Sequence, residues 1–377
     1  MRVFSVAVAV LSLCIGVTCA AILWRSNRRG APSAKALLSC AGLAAAAAVL
    51  GGAAIAMAFS SIFALAHWWY VLVVVSMPVT GAGILIASLT APRDVRLRPW
   101  PVALGLLMFL PGLVGFYATH MAPYRLRVPY HSVTTPPERA GAEPLTIAVL
   151  ADIQTRGVGD HERAAMEAAL DADPDLILVP GDVLQAPSDE AEQQIPELNA
   201  MFTTLANAAP TIVVSGDVDN PVELDAILDG SGAQFVDNET ITMEVSGDQL
   251  AIAGISVADG CGNPTHAPAL AALDAIDDPS TTKLLVTHRP DPALCLEAGD
   301  ADLVVAGHTH GGQIAVPFIG PLVTASEVPR HIGGGGLHDL NGVPIVVSRG
   351  IGMERNYAPQ VRFGVPPEVV VLDLTSG

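Results

Sequence analysis

The chain is 377 residues long, 51% hydrophobic and 15% charged, with a formal net charge of −18. That balance excludes a general nucleic-acid binder, which needs a basic face. The charge is unevenly spread: ten basic side chains face one acidic in residues 1–130, and nine face 36 in residues 131–377. A basic, apolar first third followed by an acidic remainder points to two regions of different solvent.

In chain order, three runs at about residues 3–23, 36–58 and 69–91 are nearly uncharged. Each is long enough to cross roughly 30 Å of hydrocarbon. A fourth, at about 101–120, contains Pro111 and Gly112, which membrane helices tolerate. None of the four holds Asp, Glu, Lys or Arg, which argues against an ion pathway through them. Residues 1–120 therefore read as a multi-pass membrane region of four helices. The loop after the first run carries Arg25, Arg28, Arg29 and Lys35, and the loop after the third carries Arg93, Arg96 and Arg98. The loop between the second and third carries no Lys or Arg. Basic loops stay in the cytoplasm, so the N-terminus and everything after the fourth span are expected outside it. Trp24 and Trp100 then fall at the inner boundary and Trp68 and Trp69 at the outer.

Residues 121–143 are rich in proline and read as a linker, and a domain of 144–377 follows, large enough for its own core. Strand-like apolar runs alternate with helical patterns such as Asp160–Ala172. Five of the runs end in an acid or a histidine. Leu145–Ala151 leads to Asp152-Ile153-Gln154, and Leu176–Pro180 to Gly181-Asp182. Thr211–Ser215 leads to Gly216-Asp217-Val218-Asp219, and Leu284–Thr287 to His288-Arg289. Leu303–Ala306 leads to Gly307-His308-Thr309-His310-Gly311-Gly312-Gln313. Open α/β sheets bind ligands at the carboxyl ends of their strands. Acids and imidazoles gathered there are metal ligands by type.

This ordered set resembles the calcineurin-like metallophosphoesterases, and the GHTHGGQ run with Val347–Gly352 and Pro366-Pro367-Glu368 resembles their bacterial membrane-anchored branch. The resemblance covers about residues 144–375. It implies a two-sheet β sandwich flanked by helices, an α/β domain carrying two divalent metal ions. Asp152 and His310 would hold the first ion, Asp182 would bridge both, and Asp217, His288 and His308 would complete the second. The implied activity is hydrolysis of a phosphodiester or phosphomonoester by a metal-bridging hydroxide, with Asp182 and His308 central to catalysis. Two cations roughly 3.5–4 Å apart neutralise the anionic ester and activate water.

Three positions depart from the family pattern. Gln154 stands where it has histidine, Asp217 where it has asparagine, and Val218 where a histidine assists the leaving group. The first two shift the ligands toward oxygen, so Mn²⁺ or Mg²⁺ is expected ahead of Fe or Zn. The third removes a proton donor, and a missing general acid costs roughly 10²–10⁴-fold in rate. A metal-binding or sensing module of the same fold, catalytically weakened or silent, is the alternative. His266, Arg289 and Arg349 are the candidates to replace the lost group. The expected partners are the bilayer and a phosphoester, with a lipid-linked one favoured by the tether. Cys261 and Cys295 are the only cysteines after the spans; they could pair in an oxidising space, but nothing in the sequence brings them together.

Overall fold

The computed structural model describes residues 2–27, 33–91, 99–137, 139, 144–257 and 262–376. Arg28, Arg29, Arg93, Arg96, Arg98 and Cys261, named above, lie outside them. The chain divides into two compact units, Met1–Met121 with Glu354–Gln360, and Ala122–Met353 with Val361–Gly377.

The first unit contains four helical stretches apolar and long enough to cross a membrane: Val3–Asn27, Ala34–Phe59, Ile62–Thr90 and Pro99–Tyr124. Small residues let the helices approach. A Cβ on Gly16 would lie 2.9 Å from the Ser76 carbonyl, and one on Gly81 2.6 Å from that of Gly105. Without a hydrophobic drive between helices in lipid, such backbone approach supplies the packing. The fourth stretch is interrupted at Met108–Phe109, between the helices Pro99–Leu107 and Leu110–His120. Pro111 lacks the N–H that would continue the ladder and crowds the preceding turn. Trp68 is packed inside the unit. It is buried among Phe4, Val8, Ala64 and Leu72, whereas Trp69 and Trp100 are exposed. Tyr357 belongs to the same cluster, its ring 5.3 Å from Phe4 and 5.0 Å from Phe59.

The second unit is the α/β sandwich. Its first sheet has the order β1-β14-β2-β3-β4-β5. The strands are β1 (Tyr130–Thr135), β2 (Leu145–Val149), β3 (Leu176–Pro180), β4 (Thr211–Val214), β5 (Gln234–Phe235) and β14 (Val370–Ser376). The second sheet has the order β12-β13-β9-β8-β7-β6. Its members are β6 (Glu239–Val245), β7 (Asp248–Ile255), β8 (Thr282–Thr287), β9 (Leu303–Ala306), β12 (Gly336–Leu340) and β13 (Val343–Val347). A short hairpin, β10 (Ala315–Val316) with β11 (Gly320–Pro321), stands apart. β2 through β5 run parallel, as do β7, β8, β9 and β13.

The near-continuous apolar strands follow from having both sheet faces covered. Ile147, Val149, Leu178 and Ile212 meet Ile252, Leu284, Val286 and Val305 between the sheets. On the outer face of the first sheet, Ala148, Ile177 and Val213 pack on the helices Asp160–Leu170, Ser188–Ala208 and Pro221–Leu228. Helix Asp160–Leu170 ends two residues before its expected limit. It is capped by Gly159, whose N–H donates to Glu162 Oε2 at 2.9 Å, with Asp160 in the first turn.

β1 lies inside the stretch read as a linker. Tyr130–Thr135 pairs parallel with Val371–Ser376, and a two-stranded edge extends the sheet over residues whose prolines flank the strand without interrupting it. Between the fourth apolar stretch and β1 lie only Arg125–Pro129, of which Arg127 already pairs with Glu368 of the domain.

Candidate metal centre

The parallel strands β2, β3, β4, β8 and β9 deliver their C-terminal residues to one place. Backbone bonds stitch the loops together. Asp152 N–H donates to Gly181 O, Gln154 N–H to Asp182 O at 2.7 Å, and Gly307 N–H to His288 O at 3.0 Å. Asp152 accepts the His308 N–H on both carboxylate oxygens, at 2.9 and 3.1 Å. A Cβ on Gly307 would lie 2.8 Å from that carboxylate, so only glycine lets the fifth loop come this close.

Five of the seven expected ligands hold positive φ: Asp152 (47°), Gln154 (39°), Asp182 (55°), His308 (68°) and His310 (47°). Non-glycine residues are held in this region only where the surroundings over-determine them, and such strain collects at functional sites.

Two sets of ligand atoms lie within 4.8 Å of one another, Asp217–His288–His308 and Asp152–Asp182–His288. The first set matches the expected second-ion residues. The second joins Asp152 to the expected bridging Asp182. His288 is common to both. Its Nδ1 lies 2.9 Å from the Pro180 carbonyl, which only accepts, so Nδ1 carries the proton. Nε2 is buried and faces two carboxylates, 3.5 Å from Asp182 Oδ1 and 3.6 Å from Asp217 Oδ2. His308 repeats the pattern. Its Nε2 donates to the Ala325 carbonyl at 3.0 Å and its Nδ1 lies 2.7 Å from Asp217 Oδ2. Imidazoles fixed by a backbone carbonyl on one nitrogen, with the other aimed among carboxylates, are set out as metal ligands are. The donor set fits a divalent cation held by oxygen and imidazole.

His310 is buried but outside both sets, with Nδ1 3.5 Å from Nη2 of Arg362. Gln154 is fully buried within the same loops. Of the candidates to replace the lost histidine, Arg289 is at the site. Its Nε lies 3.1 Å from both oxygens of Asp217, and its Nη2 3.0 Å from Oδ1. Arg349 is held by Glu368 at 2.7 Å and by the Gly334 carbonyl, and His266 is buried and bonded to the backbone of Ser256. Val218 contributes its N–H to Asp182 Oδ1 at 2.9 Å.

The acids and the imidazole of this cluster strongly shift one another. Burial raises Asp182, His288 pulls it down, and the neighbouring Asp152 and Asp219 push it up again, to about 7. Burial likewise raises Asp152 against the pull of His288. For His288, burial opposes the charged form, but the carboxylates of Asp182, Asp217 and Asp152 outweigh it and push the group up to about 10. Asp217, although burial opposes its charge, is held well below the carboxylate range by the two imidazoles.

Two residues without an assigned role in the sequence organise this centre. Asp219 accepts the amides of Asp182, Val183 and Gly216, each at 2.8 Å, and so shapes the loop that carries Asp182. The Gly216-Asp217-Val218-Asp219 run held the signal, a second acid two residues on. Arg362 is fully buried and donates to Gly350 O and Gly352 O, each at 3.1 Å from one of its nitrogens. The Ile351 and Gly352 amides in turn bond Ala151 O and Asp152 O, so Arg362 supports the Asp152 loop from behind.

A sandwich whose strand ends converge on paired acid–imidazole sets defines a metal-dependent phosphoester hydrolase fold. A family model for calcineurin-like phosphoesterases matches residues 145–312. Relatives include an uncharacterized metallophosphoesterase of Campylobacter jejuni, 29% identical over 53% of this chain and 50% of its own length. The uncharacterized metallophosphoesterase YkuE of Bacillus subtilis is 26% identical over 69% of this chain and 89% of its own. The phosphodiesterase YaeI of Escherichia coli is 27% identical over 56% and 74% respectively. The domain after the apolar stretches belongs to the calcineurin-like metallophosphoesterase superfamily.

Proposed function

We propose that the protein is a membrane-anchored phosphoesterase of the bacterial membrane-anchored branch, which hydrolyses a phosphodiester or phosphomonoester, with lipid-linked esters the favoured class. The observation that carries this reading is the paired setting of His288 and His308, each tied by one nitrogen to a carbonyl while the other faces Asp217. The phosphodiesterase relative from E. coli supports a diester.

Asp152, Asp182, Asp217, His288 and His308, with Gln154 and His310 beside them, would hold two divalent ions, Mn²⁺ or Mg²⁺ ahead of Fe or Zn. When bound, the ions neutralise the ester's charge and make an attacking hydroxide available near neutral pH. The protein's own part is positional. Asp219 and the Val218 amide fix Asp182, and Pro180 and Ala325 fix the two rings. Arg289, beside Asp217, is placed to receive a phosphoryl oxygen by a charge-assisted hydrogen bond. Valine at 218 gives no proton to the leaving group, which favours esters of good leaving groups and keeps a silent metal-binding module as the second reading. Manganese-dependent release of nitrophenol from bis(p-nitrophenyl) phosphate tests the two: turnover lost in His308→Ala supports the enzyme, and bound metal without turnover supports the module.

The domain's place outside the cytoplasm is supported by the basic loops and by Cys295, which is disulfide-bonded. Disulfides persist in oxidising compartments. A reporter enzyme active only in the periplasm or only in the cytoplasm, fused after residue 377, tests this.

A further inference from the structure

The metal loop runs without a break into an apolar hairpin. From Gly311 to Ser326 no residue carries a charge. Within it, Phe318 is fully exposed (109%), and Ile319, Leu322 and Val323 are 59%, 51% and 62% exposed. Of the eight large hydrophobic residues exposed among the described residues after Met121, these four fall within six positions, so the patch is concentrated. Single exposed apolar residues are ordinary; a contiguous group on an otherwise acidic domain marks an interaction surface.

The hairpin is held in shape. Ala315 and Val316 pair antiparallel with Pro321 and Gly320, Leu322 N–H donates to Ile314 O, and Ala315 N–H donates to Phe363 O at 2.8 Å. Phe318 takes a left-handed conformation (φ 67°) that turns the chain. An apolar tip kept rigid in water gains nothing from burial within its own domain.

We propose that residues Phe318–Val323 insert into the bilayer to which the same chain is anchored. The occupant follows from the tether: the last apolar stretch ends at Tyr124 and the domain's first strand begins at Tyr130. A few extended residues at roughly 3.3–3.6 Å each span at most about 20 Å, so Tyr130 is tied to the end of the last apolar stretch by a short leash. An uncharged tip of Phe, Ile, Leu and Val suits the boundary between headgroups and acyl chains, where apolar faces bury roughly 5–10 Å deep. Acidic side chains elsewhere on the domain would be repelled by anionic headgroups, which an uncharged tip is not. His308, which donates to the Ala325 carbonyl just beyond the hairpin, would then lie near headgroup depth. The contact is independent of turnover, so it stands or falls separately from the proposed hydrolase.

The test uses the full chain reconstituted in vesicles of phosphatidylcholine and phosphatidylglycerol. A benzophenone amino acid replaces Phe318, Val323 or, as the control, Val222, which is 78% exposed on the helix Pro221–Leu228. On illumination, lipid adducts at 318 and 323 are expected to exceed those at 222 at least about fivefold if the tip is immersed. Equal labelling at the three positions overturns the proposal. Adducts at 318 and 323 to a second copy of the chain overturn it too, and reassign the patch to self-association.

Discussion

His308 Nδ1 lies 2.7 Å from Asp217 Oδ2, while its Nε2 is spent on the Ala325 carbonyl. A ring anchored this way cannot turn to offer its other nitrogen, so the Asp217 position receives one imidazole in a fixed orientation. His288 approaches the same carboxylate at 3.6 Å from the opposite anchor, the Pro180 carbonyl. The orientation of both rings is therefore fixed by the protein itself.

Replacing His288 by alanine removes the ring shared by both ligand sets. Manganese affinity is expected to fall by more than the roughly 10–100-fold typical of losing only a supporting partner. Isothermal titration of the full chain in detergent checks it, and an unchanged affinity contradicts the assignment.

Asp219→Ala leaves three amides, those of Asp182, Val183 and Gly216, without their acceptor. Hydrogen bonds to a charged group contribute roughly 1.5–3 kcal/mol each, and relaxation recovers part, so a loss of about 3 kcal/mol is expected. Asp219→Asn, which keeps one acceptor oxygen, should lose less. Thermal melts of both variants with and without manganese read the effect.

The strand ends and their acids were legible in the sequence because each follows an apolar run, and the sandwich was legible because both faces of those strands are buried. Asp219 and Arg362 were not. Their work is to hold backbone atoms of other loops, Gly216 and Asp182 in one case and Gly350 and Gly352 in the other, and such contacts leave no local pattern. β1 was hidden for a related reason: a strand beside Pro129 and Pro136 reads as linker until β14, more than 200 residues later, supplies its partner. The partners of Trp68 were not legible either: only the helix packing shows it covered by Phe4 and Leu72.

The metal-free protein should lose stability as pH rises. Asp182 is raised from 3.8 to about 7 and His288 from 6.5 to about 10, so the folded state binds more protons than the unfolded one across those windows. Stability then falls from about pH 4 to pH 10, since its slope follows the protons bound by the unfolded state minus those bound by the folded state. Asp217, held below the usual range, stays ionised throughout and does not oppose this. Manganese replaces the protons, so its stabilising increment should grow with pH. Melts of chelated and manganese-loaded protein from pH 5 to 9 check both signs.

Val218→His restores a proton donor beside the Asp182 loop. If leaving-group protonation limits turnover, kcat for an ester with a poor leaving group should rise, by up to roughly 10²–10⁴-fold, with bound metal unchanged. Activated nitrophenyl esters, which need little protonation, should gain far less. Equal gains on both substrates would mean the histidine acts otherwise.

The central claim, that these residues form a working metal centre, is tested most directly by manganese-titrated hydrolysis of bis(p-nitrophenyl) phosphate by the purified full-length chain, beside His308→Ala. The account predicts turnover that rises with manganese, disappears on chelation and is lost in the variant. Turnover that persists in His308→Ala, or none at saturating bound manganese, would contradict it.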